Sequence, residues 1–329
     1  ATAPCAFLRL CILAAGSLVS AGTPVAKQVH AWPLVVFDPK SQGTYHQIQL
    51  SNHTKSIAMT PRNPRLTVYL FASALLVTPG VHASEGWEAD FFDDFDSFNH
   101  AHWQDQLLWV NDEDQCYVRE GQFDTREVSD GTLKLRVVDL GEPRVCFNWD
   151  KRGIQHPPTQ YVAGRIASKN RKEFAGGRWT ARLRVKNSGQ PGMFPAWWLL
   201  GALNNEPPVE EPNENVCWPV TGSGEIDIFE HHSDGGPDHY AARAIKSLGY
   251  CGGGDWQSDM LVLAADLDEY HEYAVEWSGD DLVFRLDGKE VYRLDGEGAN
   301  IPEPMFAILN FAKINASPMT VGQWEMEVD

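Results

Sequence analysis

The sequence predicts an all-β fold in which two antiparallel sheets pack face to face. Apolar and polar residues alternate with a period of two over residues 133–137 and 179–185, which is the pattern of half-buried strands. Turn-forming Gly, Pro and Asp residues separate short segments of this kind, and the sequence contains no long amphipathic helix and no internal repeat. Many short strands without helices are typical of a β-sandwich.

A hairpin is predicted near the carboxyl end of the chain. Residues 282–294 hold two strand-like segments on either side of Asp287-Gly288. A two-residue type I′ turn needs positive φ angles at both central positions, and Asp-Gly is one of the pairs that supplies them. We therefore expect two antiparallel strands joined at this pair.

Two other stretches, residues 204–216 and 141–158, predict loops. The first contains three prolines among acidic and Asn residues, and proline cannot donate a backbone hydrogen bond within a central strand. The second stretch has the same character. We expect the first loop to lie at the rim of a cleft.

The first 83 residues differ from the rest of the chain. From Met59 a basic segment precedes an apolar core and a small-residue sequence that ends at Ala83, which together indicate a secretory signal peptide cut after Ala83. The apolar core is too short to span a membrane. We interpret residues 1–58 as an unstructured extension upstream of the native start, and residues 84–329 as the folded domain. Alternatively, residues 7–19 form an amino-terminal anchor or signal of their own.

Three acidic residues within one predicted strand are the most informative feature of the sequence. The run Gly-Ser-Gly-Glu-Ile-Asp-Ile-Phe-Glu ends at residue 230. Glu225 and Asp227 share a face because side chains alternate along a strand, whereas Glu230 would point away. A β-bulge between Asp227 and Glu230 would return Glu230 to the same face. Three carboxylates would then line one wall.

Two carboxyl groups on one wall are what retaining hydrolysis of a glycosidic bond requires. One acts as the nucleophile and the other as the general acid/base, at a separation of about 5–5.5 Å. On a straight strand the Cα atoms of Glu225 and Glu230 would lie about 13 Å apart, so a concave sheet and inward-reaching side chains are needed. The alternative is a solvated acidic strand face. Because like charges at this spacing repel, we favour a functional role.

The motif Glu225-Ile-Asp-Ile-Phe-Glu230 resembles the E-x-D-x-x-E signature of glycoside hydrolase family 16, in the bulged form of its laminarinase-like members. Five further segments resemble parts of the family, in the family's order. They are Tyr161-Val-Ala-Gly-Arg-Ile-Ala-Ser168, Gly177-Arg-Trp-Thr-Ala-Arg-Leu-Arg184, Pro195-Ala-Trp-Trp-Leu-Leu-Gly201, His271-Glu-Tyr-Ala-Val-Glu-Trp277 and Ile308-Leu-Asn-Phe-Ala312. The resemblance covers residues 91–329.

This resemblance implies a jelly-roll β-sandwich, similar to concanavalin A, whose concave sheet carries a catalytic cleft. It implies that Glu225 is the nucleophile and that Glu230 first protonates the leaving oxygen and then activates water. Asp227 is expected to hydrogen-bond to Glu225 and orient it. The charges on Glu225 and Asp227 should raise the pKa of Glu230. No cofactor is needed for this chemistry.

The resemblance also implies which residues bind the glycan. Trp218 and Trp198 are expected to offer aromatic platforms to sugar rings, and Arg182 and Asn310 match positions near the donor subsites. Two alternatives remain open from the residues alone. Trp218 could belong to the core, and Arg182 could form a structural ion pair on the sheet.

A structural calcium ion is a further expectation from the resemblance. Asp94, the carbonyl group of Gly131 and Asp329 stand near the matching positions, and oxygen ligands suit Ca²⁺. The sequence ends at Asp329, where family members continue through one more strand that pairs near Phe91. We therefore expect that last strand to be missing from this sequence.

The cysteines of the predicted exported chain favour disulfides over a metal site. Four of the six lie after residue 83, and an even number in such a protein favours two disulfides, for which three pairings exist. Proximity in the sequence favours Cys116 with Cys146 and Cys217 with Cys251.

Charge limits the choice of partner. Without residues 1–83 the chain carries 21 basic and 44 acidic residues, a net charge of −23. This charge argues against nucleic acid, anionic membranes and sulfated galactans as partners, and it favours a neutral glucan. We expect a secreted, monomeric endo-β-1,3-glucanase. The alternatives are the same mechanism on mixed-linkage glucan, agar or carrageenan, and a non-catalytic glucan-binding protein.

Overall fold

The computed structural model describes residues 87–257, 265–296, 301–314 and 317–329. The predicted upstream extension and signal peptide lie outside these residues. Seventeen strands are assigned in the described residues, with short 3₁₀ helices at Gln122–Asp124 and Ser233–Gly235. The strands are β1 Gln104–Asp105, β2 Cys116–Tyr117, β3 Arg126–Ser129, β4 Thr132–Arg144, β5 Thr159–Ala163, β6 Arg165–Ala167, β7 Glu173–Phe174, β8 Gly177–Lys186, β9 Met193–Gly201, β10 Glu225–Glu230, β11 Ala241–Ser247, β12 Gly254–Gln257, β13 His271–Ser278, β14 Asp281–Leu286, β15 Lys289–Leu294, β16 Met305–Lys313 and β17 Gln323–Val328.

The strands form two sheets, as the alternating pattern predicts. Sheet A has the order β1-β6-β16-β9-β10-β11-β12, with β7 also paired to β16. Sheet B has the order β15-β14-β13-β8-β17-β4-β5-β2, with β3 also paired to β4. The described strand pairs are antiparallel except β2 with β5, which is parallel. The predicted all-β sandwich is therefore confirmed.

The main core lies between the two sheets. Alternate residues of β4 and β8, such as Leu133 and Leu183, are fully buried, and they face Ile226 and Leu199 of sheet A. Each such aliphatic side chain contributes about 1.5–3 kcal/mol on burial. This core fixes one face of sheet A, so the opposite face is left to form the site.

The predicted hairpin is confirmed. Asp287 and Gly288 have φ angles of 49° and 74° and join β14 to β15, with Leu286 opposite Lys289. Positive φ at both positions is what the two-residue turn requires.

The predicted loop over residues 141–158 begins later than expected. β4 continues to Arg144, which pairs with Thr159 after a register shift that begins at Asp139. Gly141, at a φ of 76°, lies within that shift. A glycine in the left-handed region allows a bulge, after which the ladder resumes.

The last described strand, β17, is an inner strand of sheet B. It is hydrogen-bonded to β4 on one side and to β8 on the other. No helix among the described residues is long and apolar enough to cross a membrane.

Candidate active site

The three acidic residues lie on β10, in the middle of sheet A. Asp227 is opposite Trp198 of β9 and Arg243 of β11. The register then shifts between Asp227 and Phe229 against β9, and between Asp227 and Glu230 against β11. This is the predicted β-bulge. Both residues inside it, Ile228 and Phe229, are buried in the core behind the strand.

Arg243 shows that the bulge places the acids on one face. Its Nη2 lies 2.7 Å from Glu230 Oε2, and its Nε lies 3.4 Å from Asp227 Oδ2. One guanidinium group therefore contacts two carboxylates from an adjacent strand. Sequence reasoning missed this residue. The available signal was a single cation in the otherwise apolar run Ala241-Ala-Arg-Ala-Ile245 beside an acidic strand.

Burial raises the pKa of each acid. The pKa of Glu225 rises to about 8, because the carboxyl is buried and lies near the charges of Glu230 and Glu206. The pKa of Asp227 is raised well above its usual value by burial, by the charges of Glu230 and Glu225, and by a hydrogen bond with Glu225. The pKa of Glu230 is raised by burial, against the opposing effects of Arg243 and of a hydrogen bond with Asp227, so Asp227 does not raise this pKa as the sequence predicts. The three carboxyl groups therefore do not all ionise together at neutral pH.

Trp198 and Asn310 lie together beside these acids. Trp198 shares the face of Asp227, and its Nε1 donates to Asn310 Oδ1 over 2.7 Å. Asn310 Nδ2 in turn donates to the hydroxyl of Tyr117 over 3.2 Å. This chain of hydrogen bonds fixes the indole ring of Trp198, which is only partly buried.

Arg165 of β6 lies beside Trp198, on the same face of sheet A. Its guanidinium carbon is 5.1 Å from the centroid of the Trp198 ring, which is within cation–π range. Its Nε donates to Gln106 Oε1 at 2.7 Å and its Nη2 to Glu206 Oε2 at 2.9 Å. Sequence reasoning missed this role, although Arg165 lies within a segment that resembles the family.

Trp218 precedes β10 and lies next to Glu225. A hydrogen bond from its side chain lowers the pKa of Glu225, against the larger effect of burial. The disulfide between Cys217 and Cys251 ties this segment to the glycine-rich loop at residues 251–254. The other disulfide joins Cys116 to Cys146, so both predicted pairings are confirmed.

Part of the face that carries the three acids is covered. Leu200 lies opposite Glu225 and Phe306 lies opposite Leu200, so the three side chains project from the same face of sheet A. Leu200 and Phe306 are nevertheless fully buried, in a small apolar cluster that also contacts Trp198 and Trp218. Another part of the chain must therefore cover Leu200 and Phe306 on this face.

The segment at residues 204–216 forms that cover. Lys169 Nζ lies 5.9 Å from the Phe306 ring centroid and donates to the backbone oxygens of Asn204 and Glu206 at 2.8 and 2.6 Å. The same ammonium group lies 3.1 Å from Glu214 Oε2. This predicted loop therefore lies over the Phe306 side of the face that carries the acids.

The comparison with protein families decides the assignment. A sequence profile described as glycosyl hydrolases family 16 matches residues 110–329. The chain belongs to this family. Glucan endo-1,3-beta-glucosidase A1 of Niallia circulans is 25% identical over 223 residues, which are 62% of this chain and 28% of that protein. Beta-glucanase of Rhodothermus marinus is 25% identical over 195 residues, 59% of each chain. The chain thus spans less than two thirds of either relative.

A solved structure supports the family 16 fold. LamAcat from Zobellia galactanivorans is similar with a TM-score of 0.57 and 25% identity, over 72% of this chain and 93% of that one. The two sheets described above are therefore the jelly-roll sandwich of family 16. The predicted acids Glu225, Asp227 and Glu230 lie on an inner strand of one sheet, with Trp218, Trp198 and Asn310 around them.

The structure places Arg182 elsewhere. It lies on β8 of sheet B, opposite Glu272 of β13, and not beside the acids. Its guanidinium group pairs with Asp329 and lies 4.4 Å from the centroid of the Tyr270 ring. The structural ion pair that the sequence left open is therefore what the structure shows. The cation near Trp198 is Arg165.

The expected calcium ligands are only partly near one another. The backbone oxygen of Asp94 lies close to Gly131, at 3.9 Å from where a Cβ would stand. Asp329 donates its amide hydrogen to the carbonyl of Arg182 and pairs with the Arg182 side chain. Within the described residues, no three His, Cys, Asp or Glu side chains converge as a metal site. Calcium binding stays a prediction.

Proposed function

We propose that this protein is a secreted endo-β-1,3-glucanase that hydrolyses laminarin-like polysaccharide with retention of anomeric configuration. The observation that carries the proposal is the bulged strand β10, which brings Glu225, Asp227 and Glu230 together on one face. Two separately placed carboxyl groups are what a double displacement at an anomeric carbon requires.

In the first step Glu225 attacks the anomeric carbon and forms a covalent glycosyl-enzyme. Glu230 donates its proton to the departing glycosidic oxygen, so that a neutral hydroxyl leaves. In the second step Glu230, now ionised, takes a proton from water, which attacks the same carbon and releases Glu225. Asp227, hydrogen-bonded to Glu225, orients the nucleophile and shares its proton as the charge of Glu225 changes.

The surroundings of the acids suit a neutral sugar chain. Trp198 and Trp218 are both partly exposed and offer aromatic faces for the apolar C–H surfaces of sugar rings. Asn310 and Arg165, which lie beside Trp198, are almost wholly buried and so hold that ring in place. The acidic net charge of the chain disfavours sulfated galactans, which supports a glucan over carrageenan.

Both relatives named above support the choice of glucan. One is named an endo-1,3-beta-glucosidase and the other a beta-glucanase. The choice is tested by reducing-sugar release from laminarin, lichenan, agarose and κ-carrageenan, with laminarin expected to be cleaved fastest. Faster release from lichenan or from a galactan would transfer the proposal to that polysaccharide. Binding without release from any of them would indicate a glucan-binding protein.

The roles of the two glutamates are tested by azide rescue. Azide should restore Glu225→Ala with an inverted glycosyl azide, because the anion attacks from the side that the nucleophile vacated. Glu230→Ala should still cleave substrates with activated leaving groups, and azide should then give the retained product, because it attacks the glycosyl-enzyme. If Glu225→Ala gave the retained azide product and Glu230→Ala the inverted one, the roles of the two glutamates would be the reverse of those proposed. An inverted sugar from the unaltered enzyme would contradict retention altogether.

Secretion is part of the proposal. The signal-like segment that ends at Ala83 and the two disulfides support export. Mass spectrometry of the exported protein should place the amino terminus at Ser84. A mature chain that retains residues 1–58 would contradict this part.

A further inference from the structure

Arg243 occupies a position that the chemistry of two acids alone does not explain. It projects from β11 directly opposite Asp227, and its side chain is 12% exposed. Its closest carboxylate contact is with Glu230 at 2.7 Å, and the longer contact, with Asp227, is 3.4 Å. The strong contact is therefore made to the residue that must exchange protons with substrate and water.

A cation at this distance has opposite effects on the two steps. It favours the ionised form of Glu230, which opposes proton donation to the leaving group. It also keeps the carboxylate ionised and directed after that donation, when Glu230 must act as a base. Burial alone would hold the proton on Glu230 too strongly for the second step, and the guanidinium group offsets that effect.

We propose that Arg243 is a positioning residue that aims the Glu230 carboxylate and balances its acid and base forms between the two steps. The proposal rests on the assignment of Glu230 as the general acid/base. It concerns an arginine for which no role follows from the acidic motif itself.

No other group around Glu230 in the described residues supplies a positive charge. Asp227, on the same strand, also lowers the pKa of Glu230 through a hydrogen bond, but it is a carboxyl group and carries no positive charge. His232, two residues further on, stacks on Phe194 at 4.0 Å between ring centroids, and its pKa is lowered to about 4 by burial and by Arg243, so it is neutral at neutral pH. Arg243 on β11 is the cation whose charge and hydrogen bond lower the pKa of Glu230.

The test compares Arg243→Gln, which removes the charge, with Arg243→Lys, which keeps it. A matched control is Arg293→Gln, since Arg293 forms an exposed pair with Glu290 on sheet B. The basic limb of the pH profile of kcat/KM reports the pKa of the group that must be protonated in the free enzyme, here Glu230. That limb should move to higher pH by about 1–3 units in Arg243→Gln and stay near the original in Arg243→Lys and in the control. A purely structural role would lower the rate without moving the limb.

A second readout does not depend on turnover. The Glu230 carboxyl can be titrated by ¹³C NMR, with Glu230→Gln used to assign its signal, and its pKa should rise in Arg243→Gln. An unchanged pKa in a folded variant would overturn the proposal even if the enzyme is active. If no glucan is cleaved by the unaltered protein, the proposed function fails, and the titration still decides whether Arg243 controls Glu230.

A double variant separates action through Glu230 from direct contact with substrate. With an activated aryl glycoside, Glu230→Ala and Glu230→Ala/Arg243→Gln should have equal kcat, because Arg243 has no carboxylate left to position. A further tenfold loss in the double variant would show that Arg243 acts directly on the sugar, which contradicts the proposal.

Discussion

Lys169→Met should destabilise the protein more than any ordinary lysine substitution. Lys169 is fully buried, and its ammonium group contacts the carbonyls of Asn204 and Glu206 and the carboxylate of Glu214. Methionine fills a similar volume but has no positive charge and no hydrogen-bond donor. The substitution therefore leaves a buried carboxylate and two carbonyl groups without their common partner.

The magnitude follows from what remains around Glu214, which is 3% exposed. Removing one member of a buried ion pair costs about 3–5 kcal/mol. Glu214 keeps hydrogen bonds from Asn170 Nδ2 and from the amides of Glu210 and Glu211, which partly satisfy its charge. We therefore expect a loss near the lower end, about 3 kcal/mol in the free energy of unfolding.

Urea unfolding measures this loss, with Lys151→Met as the control because Lys151 is exposed. The control should lie within about 0.5 kcal/mol of the unaltered protein. Adding Glu214→Gln to Lys169→Met should recover part of the loss, since the unpaired charge is then gone. A loss below about 1 kcal/mol for Lys169→Met would refute the reasoning, because it would mean that water reaches this site.

Three further predictions concern the rest of the fold. Burial raises the pKa of Glu113 from 4.5 to about 7. Between these two pH values the folded state keeps the Glu113 proton, whereas the unfolded state has released it. The unaltered protein should therefore lose roughly 3 kcal/mol of stability relative to Glu113→Gln as the pH rises from 4.5 to 7, and exposed Glu142→Gln should show no such difference. Gly288→Ala should lower the free energy of unfolding by about 1 kcal/mol, because Gly288 has a positive φ. Gly322→Ala should be near neutral in the same denaturation assay, because Gly322 has no positive φ and an added Cβ would meet no atom within 4 Å. Thiol titration of the denatured, unreduced mature protein should find no free thiol, and reducing each disulfide should cost about 2–4 kcal/mol.

The sequence could predict the strand that carries the acids because the evidence is local. Glu225 and Asp227 share a face by strand periodicity, and Glu230 joins them only if one residue is inserted. The structure shows that shift of register. The turn at Asp287-Gly288 is predictable for the same reason, since its φ requirement is met by two adjacent residues.

The basic residues of the site were not predictable in this way. Arg182 and Arg165 both lie in segments that resemble the family, but one belongs to sheet B and the other to sheet A. Arg243 meets Asp227 only through the pairing of β10 with β11. Which cation reaches the acids depends on strand order and register, and these are set by contacts between residues distant in the sequence.

The acidic, proline-rich segment at residues 204–216 shows how a surface-like composition can shape the site. Most of its residues are exposed, yet Asn204 and Glu214 are almost wholly buried. Those two and Glu206 bind two buried cations, Arg165 of β6 and Lys169 just after that strand, so the segment is held over Leu200 and Phe306 on the face of the acids. In the proposed function, a glycan at Trp198 would meet this segment on the β16 side rather than open sheet. The ion pairs that hold this segment therefore determine the shape of the face that carries the acids, as well as contributing to stability.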